Sequence, residues 1–284
     1  MKTQKVWFIT GASRGFGLEI AQAALAAGDQ VVATVRSNPA QLTNTLHNHP
    51  DLYVVQMDVT QEDQVREAVK EGITRFGRVD VLVNNAGFGM VGAIEEITDA
   101  EVRKQYETNV FGLLNVTRAV LPYLRQQKSG HIINISSLFG YDAIPGWGLY
   151  GSTKFAVEGL SKGLAVELAP LGIHVTVVAP GLFSTDFLST DSYVAARTII
   201  DDYQETVGPM RSGADALHRN QPGDPKKFAQ VMLQLANTDR PPLHLPVGND
   251  TIALYRSSAA KIAQDVQAWL PVATSTDHDK RIAA

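Results

Sequence analysis

A phenol and an amine four residues apart on a helix can move a proton. Tyr150 and Lys154 have that spacing in the run from 137 to 154, Ser-Leu-Phe-Gly-Tyr-Asp-Ala-Ile-Pro-Gly-Trp-Gly-Leu-Tyr-Gly-Ser-Thr-Lys. On a helix both side chains fall on one face, one turn apart. An ammonium beside a phenol favours the phenolate and lowers a pKa that is ordinarily about 10, which suits Tyr150 to proton transfer near neutral pH. Ser137 closes a strand-like apolar run, residues 131–136, that delivers its hydroxyl beside the tyrosine. A hydroxyl there can bind a carbonyl oxygen and the alkoxide formed from it. A Tyr-x-x-x-Lys pair alone also decorates ordinary helix surfaces, so its meaning depends on what else the chain carries.

The front of the chain carries a nucleotide signature. Val6, Trp7, Phe8 and Ile9 form a short apolar strand, then come Thr10-Gly11-Ala12-Ser13-Arg14-Gly15-Phe16-Gly17 and an alanine-rich helical stretch to Ala27. In such a strand, glycine turn and helix, Gly11 makes the tight turn, Gly15 lets backbone approach a pyrophosphate, and Gly17 lets the helix pack closely. The helix N-terminus offers unpaired N–H groups to the phosphates.

Together, the Thr-Gly-x-x-x-Gly-x-Gly loop and the serine thirteen residues before the tyrosine of Tyr-x-x-x-Lys resemble the short-chain dehydrogenase/reductase family, in its compact single-domain branch. The resemblance covers roughly residues 5 to 250. It implies a cofactor-dependent interconversion of a ketone or aldehyde and an alcohol, with Ser137, Tyr150, Lys154 and Asn109 as the catalytic set. It also implies that Asn109, in Asn-Val-Phe-Gly, kinks its helix and holds a water linking the lysine to solvent. Asn84, Asn85, Ala86 and Gly87 would stabilise the central sheet and line the cofactor. Asp58 and Val59 would meet the adenine. Pro180, Gly181 and Phe183 would form a turn over the nicotinamide, with Thr185 bonding the carboxamide or pyrophosphate. Ser13, Arg14 and Phe16 belong to the phosphate loop. A homo-oligomer, dimer or tetramer, is expected from the family alone.

The elements that must position these residues follow from periodicity. Six apolar runs precede residue 180 and alternate with helical stretches, which implies a parallel sheet covered on both faces: a Rossmann-type doubly wound α/β domain. A seventh strand is expected at 243–247. Thr60 with Asp63 reads as a near capping box for a helix ended by Gly77; Thr98 with Glu101 is a full one. Asp224-Pro225 opens a further helix. At the end of the second strand, where an acid would hold the ribose of NAD, the chain has Val35 followed by Arg36, and Arg14 lies in the glycine loop. Paired guanidiniums suit a 2′-phosphate, so NADP(H) is expected over NAD(H).

Residues 186–222 are irregular and apolar in patches, which fits a partly helical substrate lid. With Leu138, Phe139, Tyr141, Ile144, Trp147 and Met90 they suggest an apolar, medium-to-bulky carbonyl substrate, with Arg197, Arg211 and Arg219 left as possible anion holders. After the seventh strand, Gly248-Asn249-Asp250 and a helix to about Leu270 replace the Asp-Gly-Gly ending common in the family. The single domain is expected to span 1–271 and a polar tail 272–284.

Composition sets the exclusions. With no cysteine among 284 residues, disulfides, thiol catalysis and cysteine-bound metals are out, and a cytoplasmic location fits. His47 and His49 have no partner ligands nearby, so no metal is expected. A net charge of −4 without a basic stripe argues against nucleic acid. No apolar run approaches the ~20 residues of a membrane span, and the start does not read as a signal peptide. No Gly-x-Ser-x-Gly elbow supports a serine hydrolase. The glycine spacing and the length disfavour the family's larger epimerase branch. The alternative kept open is a cofactor-binding sensor of the same fold that has lost turnover.

Overall fold

A computed structural model describes residues 4–188, 193–217 and 220–278. Seven parallel strands form its centre: β1 (Val6–Ile9), β2 (Gln30–Val35), β3 (Leu52–Gln56), β4 (Val81–Asn84), β6 (Gly130–Ile135), β7 (Ile173–Pro180) and β9 (His244–Val247). Their order is β3-β2-β1-β4-β6-β7-β9, so the chain leaves β1 toward one edge and returns to build the other half. That reversal lies between β1 and β4, where a doubly wound sheet opens its ligand crevice. The central strands are almost wholly apolar and buried on both faces, as a covered parallel sheet requires.

Helices α1 (Gly15–Ala26), α2 (Pro39–Thr45) and α8 (Pro225–Ala236) cover one face, where Ile20, Leu25, Leu42, Phe228 and Met232 share a core with Trp7, Ile9 and Val83. The other face carries α3 (Glu62–Phe76), α5 (Gly112–Gln127) and α6 (Gly148–Leu168), through Val65, Val69, Val116, Val120, Leu124 and Leu168. Gly77 ends α3 in the left-handed region at φ +78°. Asp224 accepts hydrogen bonds from Lys226 and Lys227 N–H and starts α8 at Pro225. Thr98 and Glu101 cap α4 (Asp99–Tyr106) reciprocally.

Several boundaries differ from the sequence expectation. The helix expected to open at Thr60 starts at Glu62, behind an uncapped Gln61. The Thr60 hydroxyl instead donates to Asp58 Oδ1 at 2.8 Å, and Asp63, too near the helix start for a box, pairs with Arg66. The last helix, α9 (Asn249–Thr274), passes through Pro271 into the segment expected to be tail. A proline this close to a helix end removes little of the hydrogen-bond ladder, so the last turn survives it. A two-stranded parallel ribbon of β5 (Gly89–Val91) and β8 (Tyr193–Ala195) was not legible at all. Beyond it the chain makes a turn at Asp201–Tyr203 and then α7 (Gly208–Leu217). Among the described residues no helix is long and apolar enough to cross a membrane.

Candidate active site

The glycine loop after β1 is built to tolerances only glycine meets. Gly11 has φ +66° and lies so close to β4 that a Cβ there would come within 3.0 Å of Ala86 Cα. A Cβ on Gly17 would approach Gly11 O to 2.4 Å and Asn85 Nδ2 to 2.7 Å. The segment after β4 is tied to this loop: Asn85 Nδ2 donates to Thr10 O and Gly11 O, at 2.9 and 3.0 Å, and Thr10 Oγ1 accepts from Asn85 and Ala86 N–H. Asn84 Nδ2 bridges to Asn134 Oδ1 and Thr117 Oγ1, joining β4, β6 and α5. Helix α1 begins at Gly15 with no side-chain cap, so its first N–H groups face the crevice, the arrangement that receives a phosphate.

The strands β1, β4 and β6 end in one cleft of about 1630 Å³. This exceeds a drug-sized pocket and has room for a dinucleotide together with a substrate. Gly11, Ser13, Arg14, Gly15 and Phe16 line it beside Arg36, Asp58, Val59, Asn85, Ala86 and Gly87. Pro180, Gly181, Phe183 and Thr185 close it from β7. Val35 is buried, and Arg36 follows it at the surface of the same cleft. Thr185 stands opposite the loop, its Cβ 3.7 Å from where a Gly15 Cβ would be. The rings of Phe16 and Phe183 also pack on each other and on Phe228, at centroid distances of 4.0 to 5.4 Å, which pins the glycine loop to the turn after β7. Asp250, in the first turn of α9, accepts from Leu182 N–H at 2.7 Å and braces that turn. Sequence reasoning missed this contact because the two residues are 68 positions apart.

Farther along the cleft, α6 presents Tyr150 and Lys154 on one buried face, as their spacing predicted. Ser137 arrives in extended backbone after β6, and its hydroxyl accepts from Phe139 N–H at 3.2 Å. Lys154 Nζ donates to Ile135 O at 2.9 Å and lies 5.5 Å from the centre of the Tyr150 ring. Burial brings the lysine down to about 8, with the nearby Glu158 carboxylate acting the other way. For Tyr150 the direction is opposite to the sequence expectation. Burial pushes the phenol above its ordinary value, and the Ser137 hydroxyl bonded to it acts against that rise. The reason is the wall around it: Phe139, Trp147 and Phe187 put their ring centres within 5.9 Å of its own.

Asn109 sits in a π-type turn, Glu107–Phe111, between α4 and α5, so the helix is interrupted there. Its amide donates to Phe88 O at 2.9 Å and to Thr153 Oγ1 at 3.2 Å, while Oδ1 accepts from Phe88 N–H. A Cβ on Gly87 would lie 3.2 Å from Asn109 Oδ1 and 3.9 Å from Lys154 Nζ, so the asparagine and lysine flank one glycine.

Of the residues assigned to the substrate end, Leu138, Phe139, Ile144 and Trp147 line the cleft, joined by Phe187, Val194 and Met210 from the segment after β7. Two do not. Tyr141 turns away to stack edge-on with Tyr255 of α9, and Met90 is buried with Ile97 and Leu149. Both reassignments follow from elements not visible locally, α9 in one case and the β5–β8 ribbon in the other. Arg211 is held by the carboxylate of Glu96, whose side chain is fully buried and also accepts from Ala93 and Ile200 N–H. Burial alone would raise Glu96, but those donors outweigh it and hold the carboxyl below its ordinary value. Arg197 is exposed and does not line the cleft; Arg219 lies outside the described residues.

A cleft at the switch point of a doubly wound sheet, with a glycine cradle at one end and a Ser-Tyr-Lys cluster at the other, defines a nucleotide-dependent oxidoreductase. Comparisons agree: the profile of the short chain dehydrogenase family matches residues 5–193. Oxidoreductase BOA17 of Botryotinia fuckeliana (strain B05.10) is 42% identical over 267 residues, covering 93% of this chain and 96% of that protein. The crystal structure of a short-chain dehydrogenase from Streptomyces avermitilis superposes with a TM-score of 0.90 at 39% identity, covering 97% of this chain and 100% of the other. ElxO with NADP bound superposes with a TM-score of 0.73 at 30% identity, covering 88% and 100%. This chain belongs to the short-chain dehydrogenase/reductase family. It is an oxidoreductase of that family, whose solved members hold either NADP or NAD.

Proposed function

We propose that this protein is an NADP(H)-dependent carbonyl reductase or alcohol dehydrogenase acting on a neutral, apolar, medium-to-bulky substrate. The observation that carries the reading is the meeting of Ser137, Tyr150 and Lys154 in the cleft that also contains the glycine cradle. The bound nicotinamide supplies or accepts the hydride. Ser137 holds the carbonyl oxygen and stabilises the negative charge that grows on it. Tyr150 gives that oxygen its proton in reduction and removes it in oxidation. Lys154, as an ammonium, offsets the burial that raises the phenol and makes the proton easier to release. Asn109 keeps the Phe88 backbone and Thr153 in place beside the lysine.

The preference for NADP(H) is supported by Val35 and Arg36 at the end of β2, where NAD would be met by an acid, and by Arg14 lining the same cleft. Asp58, which lines the same cleft, accepts instead from Thr60 N–H and from the Thr60 hydroxyl. The neutral substrate is supported by Arg211 being paired with Glu96, and by the aromatic and aliphatic groups lining that end of the cleft. The test is cofactor consumption over a panel of aryl, alkyl, keto-ester and steroid-like ketones, with NADPH and NADH compared and Tyr150→Phe as control. Turnover with NADPH that falls by about 10²–10⁴-fold in the variant is expected. NADPH binding without turnover in either direction would replace this reading with that of a cofactor-binding sensor, and equal use of NADH would remove the cofactor preference.

A further inference from the structure

Glu158 lies one helical turn beyond Lys154, so α6 carries Tyr150, Lys154 and Glu158 in a row at four-residue intervals, all three buried. A glutamate is rarely buried unless a fixed cation pairs with it. Here the nearest is His244 on β9, whose Nδ1 is 3.3 Å from Oε2 and whose side chain is 38% exposed. Lys154 and Lys162 act on the carboxylate from its own helix, and the Ser136 hydroxyl from the residue just after β6. Tyr141, from the turn after β6, feels Glu158 and Tyr255 of α9 in turn. A Cβ on Gly140 would come within 2.6 Å of Ser136 Oγ and 3.4 Å of Glu158 Oε1, which places the two oxygens in one shell under the catalytic turn. Ser136 Oγ, Tyr141 OH and both Glu158 oxygens are all buried without a well-formed hydrogen bond. Four such atoms in one place are exceptional, because buried polar groups are nearly always satisfied. None of them is shared with Asn109, whose partners are Phe88 and Thr153.

We propose that Glu158 is a positioning residue for Lys154 and that it exchanges its proton with solvent through His244. Ionised Glu158 holds the lysine as an ammonium; when it takes up a proton, that support is withdrawn. In the relay the neutral His244 imidazole passes a proton from one ring nitrogen to a Glu158 oxygen while its other nitrogen takes one from water, so the imidazole stays neutral and the negative charge lost by the carboxylate passes to the solvent as hydroxide. Burial raises the carboxyl to about 7, and burial with the nearby Lys162 keeps His244 below its ordinary value. The role for Lys154 rests on the proposed function, but the exchange between Glu158 and His244 does not.

The experiment is an NMR pH titration of protein carrying carbon-13 at histidine Cε1 and lysine Cε, with the His244 and Lys154 signals assigned by His244→Phe and Lys154→Arg. In the wild type, His244 should show an extra inflection near pH 7 from Glu158. Glu158→Gln should abolish it and bring the Lys154 midpoint down by roughly one pH unit, the size of a partly screened interaction across one helical turn. Glu158→Asp, which keeps the charge but retracts it, should retain the inflection and shift Lys154 less. A His244 signal that titrates identically in wild type and Glu158→Gln overturns the relay. A Lys154 midpoint unmoved by Glu158→Gln overturns the positioning role. Both readouts are independent of turnover, so an enzyme with no activity on any ketone refutes the proposed function while leaving both titrations as they stand.

Discussion

Replacing Glu96 with alanine should loosen residues 193–217 while leaving the Rossmann core intact. The Glu96 side chain is 0% exposed and its partner Arg211 only 13%. The carboxylate also accepts from Ala93 N–H at 2.7 Å and from Ile200 N–H at 2.9 Å. Removing one member of a buried ion pair costs about 3–5 kcal/mol, because the other charge is left in a poor solvent. Arg211 has little to fall back on, since its Nε already lacks a partner. Residues 193–217 are also attached by the three-residue ribbon of β5 and β8, the Ala196 N–H bond to Val91 O, the Tyr203 hydroxyl bond to Glu95 and the packing of Tyr193 and Met210 with Val91 and Trp147, all of them outside the central sheet. The cost therefore falls on local opening of residues 193–217 rather than on global unfolding. A loss of about 3 kcal/mol accelerates exchange through that opening by about a hundredfold. Hydrogen–deuterium exchange should show this in peptides within 193–217, with β1, β4 and β6 unchanged. Glu96→Gln, which keeps an acceptor for the backbone donors, should fall between. Equal acceleration in the central strands would show that Glu96 supports the whole fold. Unchanged exchange in 193–217 would refute the clamp.

Three further outcomes can be checked directly. Gly17→Ala places a methyl against the backbone oxygen of Gly11 at 2.4 Å, which cannot move without disturbing the cradle. It should cost about 1–3 kcal/mol in thermal unfolding and weaken NADPH binding measured by fluorescence; a variant of wild-type stability and affinity would contradict the packing argument. Asp250→Ala leaves Leu182 N–H to solvent and loosens the turn after β7. Because this bond is exposed, the loss should be about 1 kcal/mol, a several-fold rise in the NADPH dissociation constant with little change in melting temperature. The third concerns pH. A carboxyl raised from 4.5 to about 7 binds its proton more tightly folded than unfolded, so its stabilisation is complete below about 4.5 and is lost as pH rises to about 7. At 1.36 kcal/mol per pH unit, the loss is about 3 kcal/mol. His131, buried and brought down to about 3, acts in the opposite sense, losing stability as pH falls below about 6.5. Denaturant midpoints of wild type and Glu158→Gln should therefore be compared at each pH. Their difference should grow in favour of the variant from pH 5 to 8, and a constant difference would show that Glu158 keeps its ordinary pKa.

Local chemistry made much of this protein legible in the sequence. The strand β1 and the glycines after it, the reciprocal cap of Thr98 and Glu101, the Asp224-Pro225 helix start and the four-residue spacing of Tyr150 and Lys154 are set by residues within a turn or two of one another. Helical and strand periods translate such neighbours directly into shared faces. Alternating apolar runs likewise gave the parallel sheet, because only a strand covered on both sides can be apolar throughout. What the tertiary structure decided depends on groups far apart in the chain. The ribbon of β5 and β8 joins segments that are each too short to show a period. Glu96 takes Arg211 out of consideration as a substrate anchor from 115 residues away, and Tyr255 turns Tyr141 away from the cleft. The same is true of the environment of Tyr150. The sequence shows the lysine that would lower the phenol, but not the wall of Phe139, Trp147 and Phe187 whose burial raises it, because desolvation is summed over everything that packs around a group.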